Sequence, residues 1–388
     1  MYILLISRGI PSVKDPQWGC FEFDQARALV GLGHKVVVAC LDRRFRFQLK
    51  HFGISEFEKD RIVCFESLWF PSRILRLFGF SFEHYVLKKQ IINLANSIFL
   101  KYGKPDIIYS HYIAESCVAI ELKNKFNIPF VVIEHSSLLK TNLKNKYVQY
   151  LGSNLYSKAD KVLVVSKSLK TILFNEFGVD SVVVHNMVGV EFKYNKFQHK
   201  DDYFQFVSVG SLIHRKGFDL LIEAFFKSGL TNKNVNVVII GEGEERFKFQ
   251  NLIQSKGLAE KIQLVGAKNK KEIIEILQQS NVFVLPSRNE TFGVVYIEAM
   301  MVGLPVIATA CGGPEEFVKE TDGLVIPVND AMALVNALKY MFENCDLYDR
   351  EKIARDCKNR FSSDVIVSQL NSIFESVINE YNNKVLNK

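Results

Sequence analysis

The sequence predicts two doubly wound α/β domains, each built on a mainly parallel β-sheet. Three observations support this: the length of the chain, an alternation of apolar runs with amphipathic segments, and one polar interruption near the middle. With 388 residues, the chain is long enough for two domains of ordinary size. Hydrophobic residues make up 48% and charged residues 23%, a composition typical of a globular protein and not of a disordered chain.

Short apolar runs rich in β-branched residues predict the strands. Continuous apolar strands separated by helical segments indicate parallel sheets that are covered on both faces. In the first half the runs are YILLIS, KVVVAC, DIIYSH, FVVIEH and KVLVVS. In the second half they are FQFVSVG, VNVVIIG, IQLVGA, VFVLPS, PVIATA and GLVIPV.

The polar stretch KYNKFQHKDDY at 193–203 interrupts this alternation and predicts the linker between the domains. We therefore expect a first domain at 1–195 and a second at 196–364. The last segment, about 365–388, has helical periodicity, and we expect it to pack back on the first domain. Its apolar residues share one helical face: Ile366, Leu370, Ile373, Phe374 and Ile378.

The net charge, the cysteines and the apolar runs indicate the kind of partner and the cellular environment to expect. The net charge of +7 favours anionic partners without identifying one. The seven cysteines form no C-x-x-C pair, which argues against a zinc site or a disulfide scaffold and favours free thiols in a reducing cytoplasm. No apolar run approaches the ~18 residues that a membrane-spanning helix needs. We expect a cytoplasmic protein.

The loops that follow the strands are the places to look for a ligand site, because ligands of open α/β sheets bind outside the carboxyl ends of the strands. After FVSVG, the chain has a glycine turn at Gly210, then Arg215 and Lys216, and then Gly217 before a helix. Cations beside a glycine turn suit a diphosphate, although a solvated basic loop would look the same. The GEGEE turn that begins at Gly241 lacks the third glycine of a Rossmann fingerprint and alone fits an ordinary strand-to-helix turn.

The stretch SRNETFGVVYIEAM, which follows VFVLPS, places Glu290 and Glu298 eight residues apart. Carboxylates accept hydrogen bonds from the vicinal hydroxyls of a ribose or a hexose. Both side chains could reach one ligand if Glu290 lies in the loop before the helix that carries Glu298. The alternative is a pair of surface glutamates, which the spacing alone does not exclude.

The same stretch predicts the start of a helix that carries residues 294–301. We expect Asn289 or Thr291 to cap this helix. The Phe292-Gly293 turn is then expected to present backbone N–H groups to an anion at the start of the helix.

These segments together resemble glycosyltransferase family 4. The resemblance is strong over 204–330, through VGSLIHRKGFDLLIEAF, VVIIGEGEE, IQLVGA, VFVLPSRNETFGVVYIEAMMVGLPVIATACGGPEE and GLVIPVND. It is weaker before that, through GCFEFDQARALVGLGHKVVV, PDIIYSHY, IPFVVIEHSS and ADKVLVVSKSL. Members of this family are retaining sugar transferases of the GT-B fold, in which two Rossmann-like domains face a central cleft. The resemblance implies the same fold for this chain.

The resemblance also implies roles for individual residues. Glu290 matches the first glutamate of the family's E-x7-E motif, which contacts the donor sugar, and Glu298 matches the second, which holds the ribose hydroxyls. Lys216 matches the lysine that binds the donor diphosphate, with Arg215 assisting. His135, at the end of FVVIEH, matches a histidine that lines the donor sugar. Glu290, His135 and Lys216 are the expected catalytic residues.

Further donor contacts are implied for the glycine turns and the loops around them. Gly19 matches a glycine that lets the backbone approach the phosphate, and Phe292 and Gly293 would offer backbone N–H groups. Ser211 stands where the family often has arginine, so Arg215 is expected to supply that charge. The remaining expected donor contacts are Gly241 and Thr291.

Structural roles compete with some of these assignments. For His135 the competing interpretation is a satisfied histidine at the end of a strand, and for Gly19 it is an ordinary turn. His111, in SHY, is expected to be structural.

The activity that the resemblance implies is transfer of a sugar from a nucleoside diphosphate sugar, of the UDP or GDP type, to a hydroxyl group. The expected acceptor is a saccharide or a lipid-linked saccharide, as in bacterial surface polysaccharide or glycolipid assembly. No cofactor and no metal are expected. Two alternatives stay open: a nucleotide-sugar epimerase of the same fold, and a non-catalytic sugar-nucleotide-binding subunit.

Two segments of the first half mix basic and aromatic residues, at 43–52 and 69–89. Such surfaces bind anionic membranes or lipid diphosphates, but partly buried helices have the same composition. Nucleic acid is a third ligand of basic-aromatic surfaces, which we do not expect here. The residues concerned are Arg43, Arg44, Arg46 and Lys50 with Phe45, Phe47 and Phe52, and Arg73 and Arg76 with Trp69, Phe78, Phe80 and Phe82.

Overall fold

The structure is a computed structural model that describes residues 1–12, 15, 18–42, 53–68, 75–195 and 203–386. The contacts within the chain divide it into two compact units. The first unit consists of Met1–His185 and Ile366–Lys388, and the second consists of Asn186–Val365.

The first unit is built on a sheet that has eight strands within the described residues. These are β1 (Tyr2–Ser7), β2 (Lys35–Asp42), β3 (Gly53–Lys59), β4 (Ile62–Leu68), β5 (Ile107–His111), β6 (Phe130–Glu134), β7 (Lys161–Val164) and β8 (Val182–Val183). Their order across the sheet is β3-β4-β2-β1-β5-β6-β7-β8. Neighbouring strands are parallel except β3 and β4, which form an antiparallel hairpin. The helices between the strands are α1 (Cys20–Gly31), α2 (Phe80–Tyr102), α3 (Ile113–Phe126), α4 (Leu138–Thr141), α5 (Lys146–Leu155) and α6 (Lys167–Phe177).

The second unit is built on a parallel sheet with six strands in the part of the chain that the structure describes. These are β9 (Phe204–Val209), β10 (Val235–Ile240), β11 (Ile262–Leu264), β12 (Val282–Val284), β13 (Val306–Thr309) and β14 (Gly323–Ile326). Their order is β11-β10-β9-β12-β13-β14, with every neighbouring pair parallel. The helices are α7 (Phe218–Lys227), α8 (Arg246–Ser255), α9 (Lys270–Gln278), α10 (Val294–Met301), α11 (Ala331–Asn344) and α12 (Arg350–Phe361).

The central strands of both sheets are buried because helices cover the sheets. Every residue of β1, β5 and β6 is buried, as the continuous apolar runs predict for parallel strands. Helix α7 shows the matching helical pattern, because its buried side chains recur every three or four residues and form one face. Each such apolar side chain contributes about 1.5–3 kcal/mol when it is fully buried. The prediction of two Rossmann-like α/β domains is therefore confirmed.

Three strands of the first unit, β3, β4 and β8, are not among the apolar runs predicted from the sequence. Strand β3 is exposed along most of its length, so it lacks an apolar pattern. The turn between β3 and β4 places Asp60 and Arg61 at φ angles of 50° and 64°. A two-residue hairpin turn with positive φ usually contains Asn-Gly or Asp-Gly, and the Asp-Arg sequence here gives no such signal.

The C-terminal helix, α13 (Ser363–Leu386), begins in the second unit and continues in the first. Phe374 of this helix is fully buried, and its ring lies 4.9 Å from that of Tyr109 on β5. Of the apolar residues predicted to share a face, Ile373 and Ile378 are only half-buried. The buried face consists of Ile366, Val367, Leu370, Phe374 and Val377.

The boundary between the units lies ten residues earlier than the one predicted from the polar linker. Residues 186–195 belong to the second unit, where Val188 pairs with Ser362 and Phe192 is buried. Residues 196–202, the centre of the predicted linker, lie outside the described residues.

The loops that follow β9 and β12 touch each other through their backbones. Gly217, at the end of the short 3-10 helix His214–Lys216, has a φ angle of 71°. A Cβ atom at this position would lie 2.1 Å from the carbonyl oxygen of Pro286. Only glycine therefore allows these two loops to approach so closely.

We predict that Gly217→Ala destabilises the second unit far more than Gly257→Ala. Gly257 has a similar φ angle of 66°, but nothing lies within 4 Å of its Cβ position. Both substitutions carry the cost of a left-handed alanine, about 1–2 kcal/mol. Only Gly217→Ala adds the clash with Pro286, so we expect a further loss of about 2 kcal/mol in the free energy of unfolding. Denaturant titrations of both variants measure the difference, and equal losses would contradict the close approach of the two loops.

Candidate functional site

The strand order of the second unit creates a switch point between β9 and β12. The chain runs from β9 to β10 and β11 on one side, and then crosses to β12, β13 and β14 on the other. The loops after β9 and β12 therefore leave the sheet in opposite directions and open a crevice at its carboxyl edge. Arg215 and Lys216 lie in the loop after β9, and Glu290 lies in the loop after β12.

A buried ion pair joins these two loops. The Nζ atom of Lys216 donates a hydrogen bond of 2.6 Å to Oε1 of Glu290, whose side chain is only 7% exposed. The hydroxyl of Ser287 donates to the same oxygen at 2.8 Å. The Nη1 atom of Arg215 lies 3.5 Å from Oε2 of Glu290 and donates to the carbonyl oxygen of Asn289 at 2.8 Å. The sequence had suggested the two cations and the glutamate, and the fold brings them together.

Two cations keep Glu290 ionised although it is buried. Burial raises the pKa of a carboxyl group, but the charges of Lys216 and Arg215 and the hydrogen bonds from Lys216 and Ser287 outweigh this effect. The pKa of Glu290 therefore lies below its ordinary value of 4.5. A carboxylate in this state accepts hydrogen bonds and does not act as an acid.

Arg288, in the loop after β12, also binds residues in and after the loop that follows β9. Its Nη atoms donate to both carboxylate oxygens of Asp219 at 2.8 and 2.7 Å, and Nη1 also donates to the carbonyl oxygen of His214 at 2.6 Å. Its Nε atom donates to Oδ1 of Asn329. Burial raises the pKa of Asp219. The hydrogen bond and the charge of the Arg288 guanidinium lower it by more, so this pKa lies below its ordinary value. Neither Arg288 nor Ser287 was predicted, because a single arginine or serine in a loop carries no pattern.

Helix α10 begins at the crevice without a capping side chain. The prediction that Asn289 or Thr291 caps it is wrong, because its N-cap residue is Gly293, which has a φ angle of 99° and makes no side-chain capping bond. The ring of Phe292 packs away from the loop, against Phe317 at 4.8 Å. The first turn of α10 therefore presents backbone N–H groups where a capping side chain would otherwise bind them.

The other residues predicted in this unit lie in the loops after β9, β10 and β12 and on α10. Gly241 follows β10, and a Cβ atom there would lie 1.9 Å from the carbonyl oxygen of Gly210 after β9. Ser211 is exposed next to Gly210. Thr291 is half-buried in the loop before α10, and Glu298 is half-buried within α10.

The two residues predicted in the first unit lie at the corresponding edge of its sheet. Gly19 precedes α1 with a φ angle of 79° and packs against the carbonyl oxygen of Gly9. His135 follows β6 and is 8% exposed. Its Nε2 atom lies 3.2 Å from Nδ1 of His111, and the two rings are stacked with centroids 5.3 Å apart. Burial, His135 and a nearby arginine, Arg8, hold the pKa of His111 well below its ordinary value, so His111 is neutral.

The described residues can be searched for clusters of metal-binding side chains. Across the described residues, no group of three or more His, Cys, Asp or Glu side chains is arranged to hold a metal ion. The charges of the second-unit site come from lysine, arginine and glutamate, a set suited to an anion and to hydroxyl groups.

The ionised state of Glu290 makes a prediction about stability and pH. A carboxyl group whose pKa is lower in the folded state stabilises the fold above its unfolded pKa, and this contribution is lost as the pH falls through the folded pKa. The difference in unfolding free energy between wild type and Glu290→Gln should therefore be constant above about pH 5 and should shrink below pH 4.5. In Lys216→Met, Lys216 no longer opposes the effect of burial, so the folded pKa of Glu290 is higher and acidification should cost this variant less stability than it costs wild type. Denaturant titrations between pH 3 and 7 measure this, and parallel pH profiles in all three proteins would contradict the pairing.

Comparison with known proteins identifies the family. The family model described as glycosyl transferases group 1 matches residues 190–359, and the model described as glycosyltransferase family 4 matches residues 23–192. An uncharacterized glycosyltransferase of Methanocaldococcus jannaschii is 31% identical over 281 residues, which are 70% of this chain and 76% of that protein. The GPI3 subunit of phosphatidylinositol N-acetylglucosaminyltransferase from Saccharomyces cerevisiae is 26% identical over 318 residues, which are 78% of this chain and 67% of that protein.

Solved structures show the same fold at lower identity. Sucrose-phosphate synthase of Thermosynechococcus elongatus aligns with a TM-score of 0.79 and 20% identity, over 98% of this chain and 99% of that one. The Anabaena protein HepE, in complex with UDP-glucose, aligns with a TM-score of 0.72 and 17% identity, over 97% and 100% of the two chains. Two family models that together span most of the chain, and a relative above 30% identity, agree with the GT-B fold. The chain belongs to the family 4 type of glycosyltransferases.

Proposed function

We propose that this glycosyltransferase moves a sugar from a nucleoside diphosphate sugar, of the UDP or GDP type, to a hydroxyl of a saccharide or lipid-linked saccharide. We further propose that the anomeric configuration is retained and that no metal is needed. The observation that carries the proposal is the Lys216–Glu290 pair at the switch point between β9 and β12. It combines a cation for a phosphate with a carboxylate for hydroxyl groups at one edge of the sheet.

The departing diphosphate gains negative charge as the glycosidic bond breaks, and this chain offers three positive groups to stabilise it. Lys216 and Arg215 supply full charges, and the first turn of α10 supplies backbone N–H groups and the positive end of the helix dipole. Lys216 is already oriented by Glu290, so little reorganisation is needed when the phosphate arrives. HepE in complex with UDP-glucose, which has this fold, supports a nucleotide-sugar donor.

The sugar and the ribose need acceptors for their hydroxyl groups. Glu290 is held as a carboxylate and so can accept hydrogen bonds from the donor sugar, while Glu298 on α10 is proposed to hold the ribose. His135 of the first unit is proposed to line the donor sugar, and Gly19 to let the backbone approach the phosphate. Thr291, Phe292 and Gly293 are proposed to contribute backbone or hydroxyl contacts around the diphosphate.

The state of Glu290 bears on the mechanism. Retaining glycosidases use two carboxyl groups about 5 Å apart, one of which donates a proton as an acid. Glu290 is ionised and hydrogen-bonded to Lys216, so it is not suited to donate a proton. We propose that the acceptor oxygen bonds to the anomeric carbon on the face from which the phosphate departs. The bond from that carbon to the phosphate oxygen breaks, and this oxygen takes the proton of the acceptor hydroxyl.

Donor turnover tests the proposal. The full chain is incubated with UDP- and GDP-sugars in the presence of EDTA, and released nucleotide and sugar are followed by NMR. We expect slow hydrolysis by wild type and a loss of about 100-fold or more in Lys216→Gln and in Glu290→Ala, because each removes a group that contacts the donor. Lys248→Gln is the matched control, since Lys248 pairs with Glu245 on the surface of the same unit. The first sugar product should have the anomeric configuration of the donor.

Other results would favour the alternatives. Epimerised nucleotide sugar as the product would indicate an epimerase, and donor binding without turnover in any condition would indicate a binding subunit. Activity that EDTA abolishes, an inverted product, or equal rates in wild type and Lys216→Gln would each contradict a part of the mechanism.

The acceptor is proposed to be lipid-linked, and an exposed surface of the first unit supports contact with an anionic membrane. In the 3-10 helix Arg76–Phe78 and the start of α2, Leu77 is 83% exposed and Phe78 73% exposed. Phe82 and Tyr85 continue this exposed set along α2. The Saccharomyces cerevisiae relative carries phosphatidylinositol in its name, which is consistent with a lipid acceptor. In the described ranges, no helix is long and apolar enough to cross a membrane. From the exposed rings, we propose a peripheral contact from the cytoplasmic side.

Part of this basic-aromatic segment is packed against the protein. The ring of Phe80 lies 4.9 Å from that of Tyr147, and Arg76 pairs with the buried Glu83 and lies over the Tyr147 ring. Only the exposed members are therefore available to a membrane. Residues 43–52, and Trp69 and Arg73 of the second segment, lie outside the described residues.

Liposome flotation tests the membrane contact. We expect wild type to float with vesicles that contain anionic lipid and not with neutral vesicles. The reason is that exposed Lys89, whose Nζ lies 4.6 Å from the centre of the Tyr85 ring, adds a positive charge to this surface. The double variant Phe78→Ser/Phe82→Ser should lose most of this binding. Phe247→Ser is the control, since Phe247 is 79% exposed on α8 of the second unit. Equal flotation of the two variants, or binding to neutral and anionic vesicles alike, would contradict the proposed surface.

A further inference from the structure

The first unit has a switch point of its own, between β1 and β5. Strand β1 lies between β2 and β5; the chain moves from β1 to β2 on one side and later returns to β5 on the other. The loops after β1 and β5 carry Arg8, Trp18 and Tyr112. This edge is where an open α/β sheet binds a ligand, and the proposed function uses only Gly19 and His135 from it.

Arg8 is held in one orientation by two aromatic rings. Its guanidinium carbon lies 4.6 Å from the centre of the Trp18 ring and 4.4 Å from that of Tyr112. Its Nε atom lies 3.6 Å from Oε1 of Glu22, on the first turn of α1. The Arg8 side chain is 27% exposed and that of Glu22 is 0% exposed. Arg8 therefore forms the outer member of a charge pair whose inner member is covered.

The buried atoms of this pair lack hydrogen-bond partners of ordinary geometry. Among the described residues, this holds for Nε of Arg8 and for both carboxylate oxygens of Glu22. The 3.6 Å that separates them exceeds hydrogen-bonding distance. Buried charged groups are nearly always hydrogen-bonded. The Glu22 carboxylate is fully covered, so the partly exposed guanidinium of Arg8 is the member of the pair that a ligand at this edge of the sheet can reach.

The charges indicate the chemistry of that ligand. Glu22 nearly neutralises Arg8, so an oxyanion drawn to the guanidinium would be repelled by the carboxylate behind it. A hydroxyl group has no such conflict and accepts a hydrogen bond from the planar guanidinium fork. The rings of Trp18 and Tyr112 add apolar faces beside the fork. Burial holds the pKa of Glu22 above its ordinary value, although the attraction of Arg8 opposes that shift.

We propose that Arg8, held between Trp18 and Tyr112 and neutralised by Glu22, binds the hydroxyl groups of an uncharged sugar of the acceptor. This rests on the proposed function, which supplies an acceptor, and extends it by naming the acceptor's terminal sugar as neutral. Gly9 has a part in the arrangement, because a Cβ atom there would lie 1.8 Å from Cδ1 of Trp18. The absence of a side chain at Gly9 therefore lets the indole ring lie over Arg8.

Binding of simple sugars to the full chain tests the proposal. The neutral probes are the methyl α-glycosides of glucose, mannose and galactose, and the anionic probes are glucuronate and glucose 1-phosphate. In ligand-observed NMR titrations, we expect at least one neutral glycoside to bind, and to bind more tightly than either anionic sugar. Arg8→Gln and Arg8→Lys should each weaken binding of this glycoside about tenfold or more, because neither replacement has the planar guanidinium group. Arg8→Lys keeps the positive charge, so it provides the same test if Arg8→Gln does not fold.

Three further variants sharpen the test. Gly9→Ala should displace Trp18 and weaken the same glycoside. Glu22→Gln removes the negative charge behind Arg8, so glucuronate should gain affinity relative to the neutral glycoside, an effect that a purely structural role for Glu22 would not produce. Arg27→Gln is the matched control, because Arg27 lies on the same helix and pairs with Asp24 and Asp60 at the surface.

The contrary results are equally specific. The proposal fails if no neutral glycoside binds, if Arg8→Lys binds it as wild type does, or if the anionic sugars bind more tightly through Arg8. It also fails if Glu290→Gln abolishes the binding, because the sugar would then lie in the second unit. Nucleotide-sugar binding, measured on the same proteins, reports separately on the proposed function and should survive Arg8→Lys.

Discussion

The second unit depends on one buried interaction, the ion pair between Lys216 and Glu290 across the switch point of its sheet. Removing two charges from water is costly, and the attraction between them offsets this only with good geometry and additional hydrogen bonds. Here the 2.6 Å contact, the hydroxyl of Ser287 and the nearby Arg215 provide both. The pair keeps the loops after β9 and β12 together, and it leaves a cation and a carboxylate oriented at the edge where a ligand arrives.

The two units place charge at the same topological position but leave it in different states. In the second unit, Lys216 and Glu290 are in direct contact through a hydrogen bond of 2.6 Å. In the first unit, Arg8 and Glu22 stay apart at 3.6 Å, and stacking on aromatic rings orients the arginine instead of hydrogen bonds. A satisfied pair suits a site that must be rigid when leaving-group charge develops. An arginine that is oriented by aromatic rings suits a site in which its exposed N–H groups bind the ligand.

Much of this arrangement could be predicted from the sequence, because parallel strands and their carboxyl-end loops follow from continuous apolar runs. The fold class and the grouping of Arg215, Lys216 and Glu290 depend on that pattern and on the resemblance to family 4. The cap of α10 was mispredicted because Gly293 takes the left-handed N-cap position that a side chain was expected to fill. Arg8 and Glu22 were missed because their relationship is set by tertiary packing between β1, α1 and the loop after β5. The sequence spacing of Arg8, Trp18 and Tyr112 does not indicate that the cation lies between the two rings.

We propose that Lys216 and Glu290 form a site for a nucleoside diphosphate sugar. The most direct measurement is thermal unfolding of the full chain with UDP, GDP, ADP and their sugar conjugates, without added metal, for wild type and Lys216→Gln. A ligand at about 100 times its dissociation constant should stabilise the fold by about 2.7 kcal/mol and raise the unfolding midpoint. We predict a shift with one nucleotide base in wild type and its loss in Lys216→Gln. No shift with any nucleotide, or the same shift in both proteins, would contradict the account.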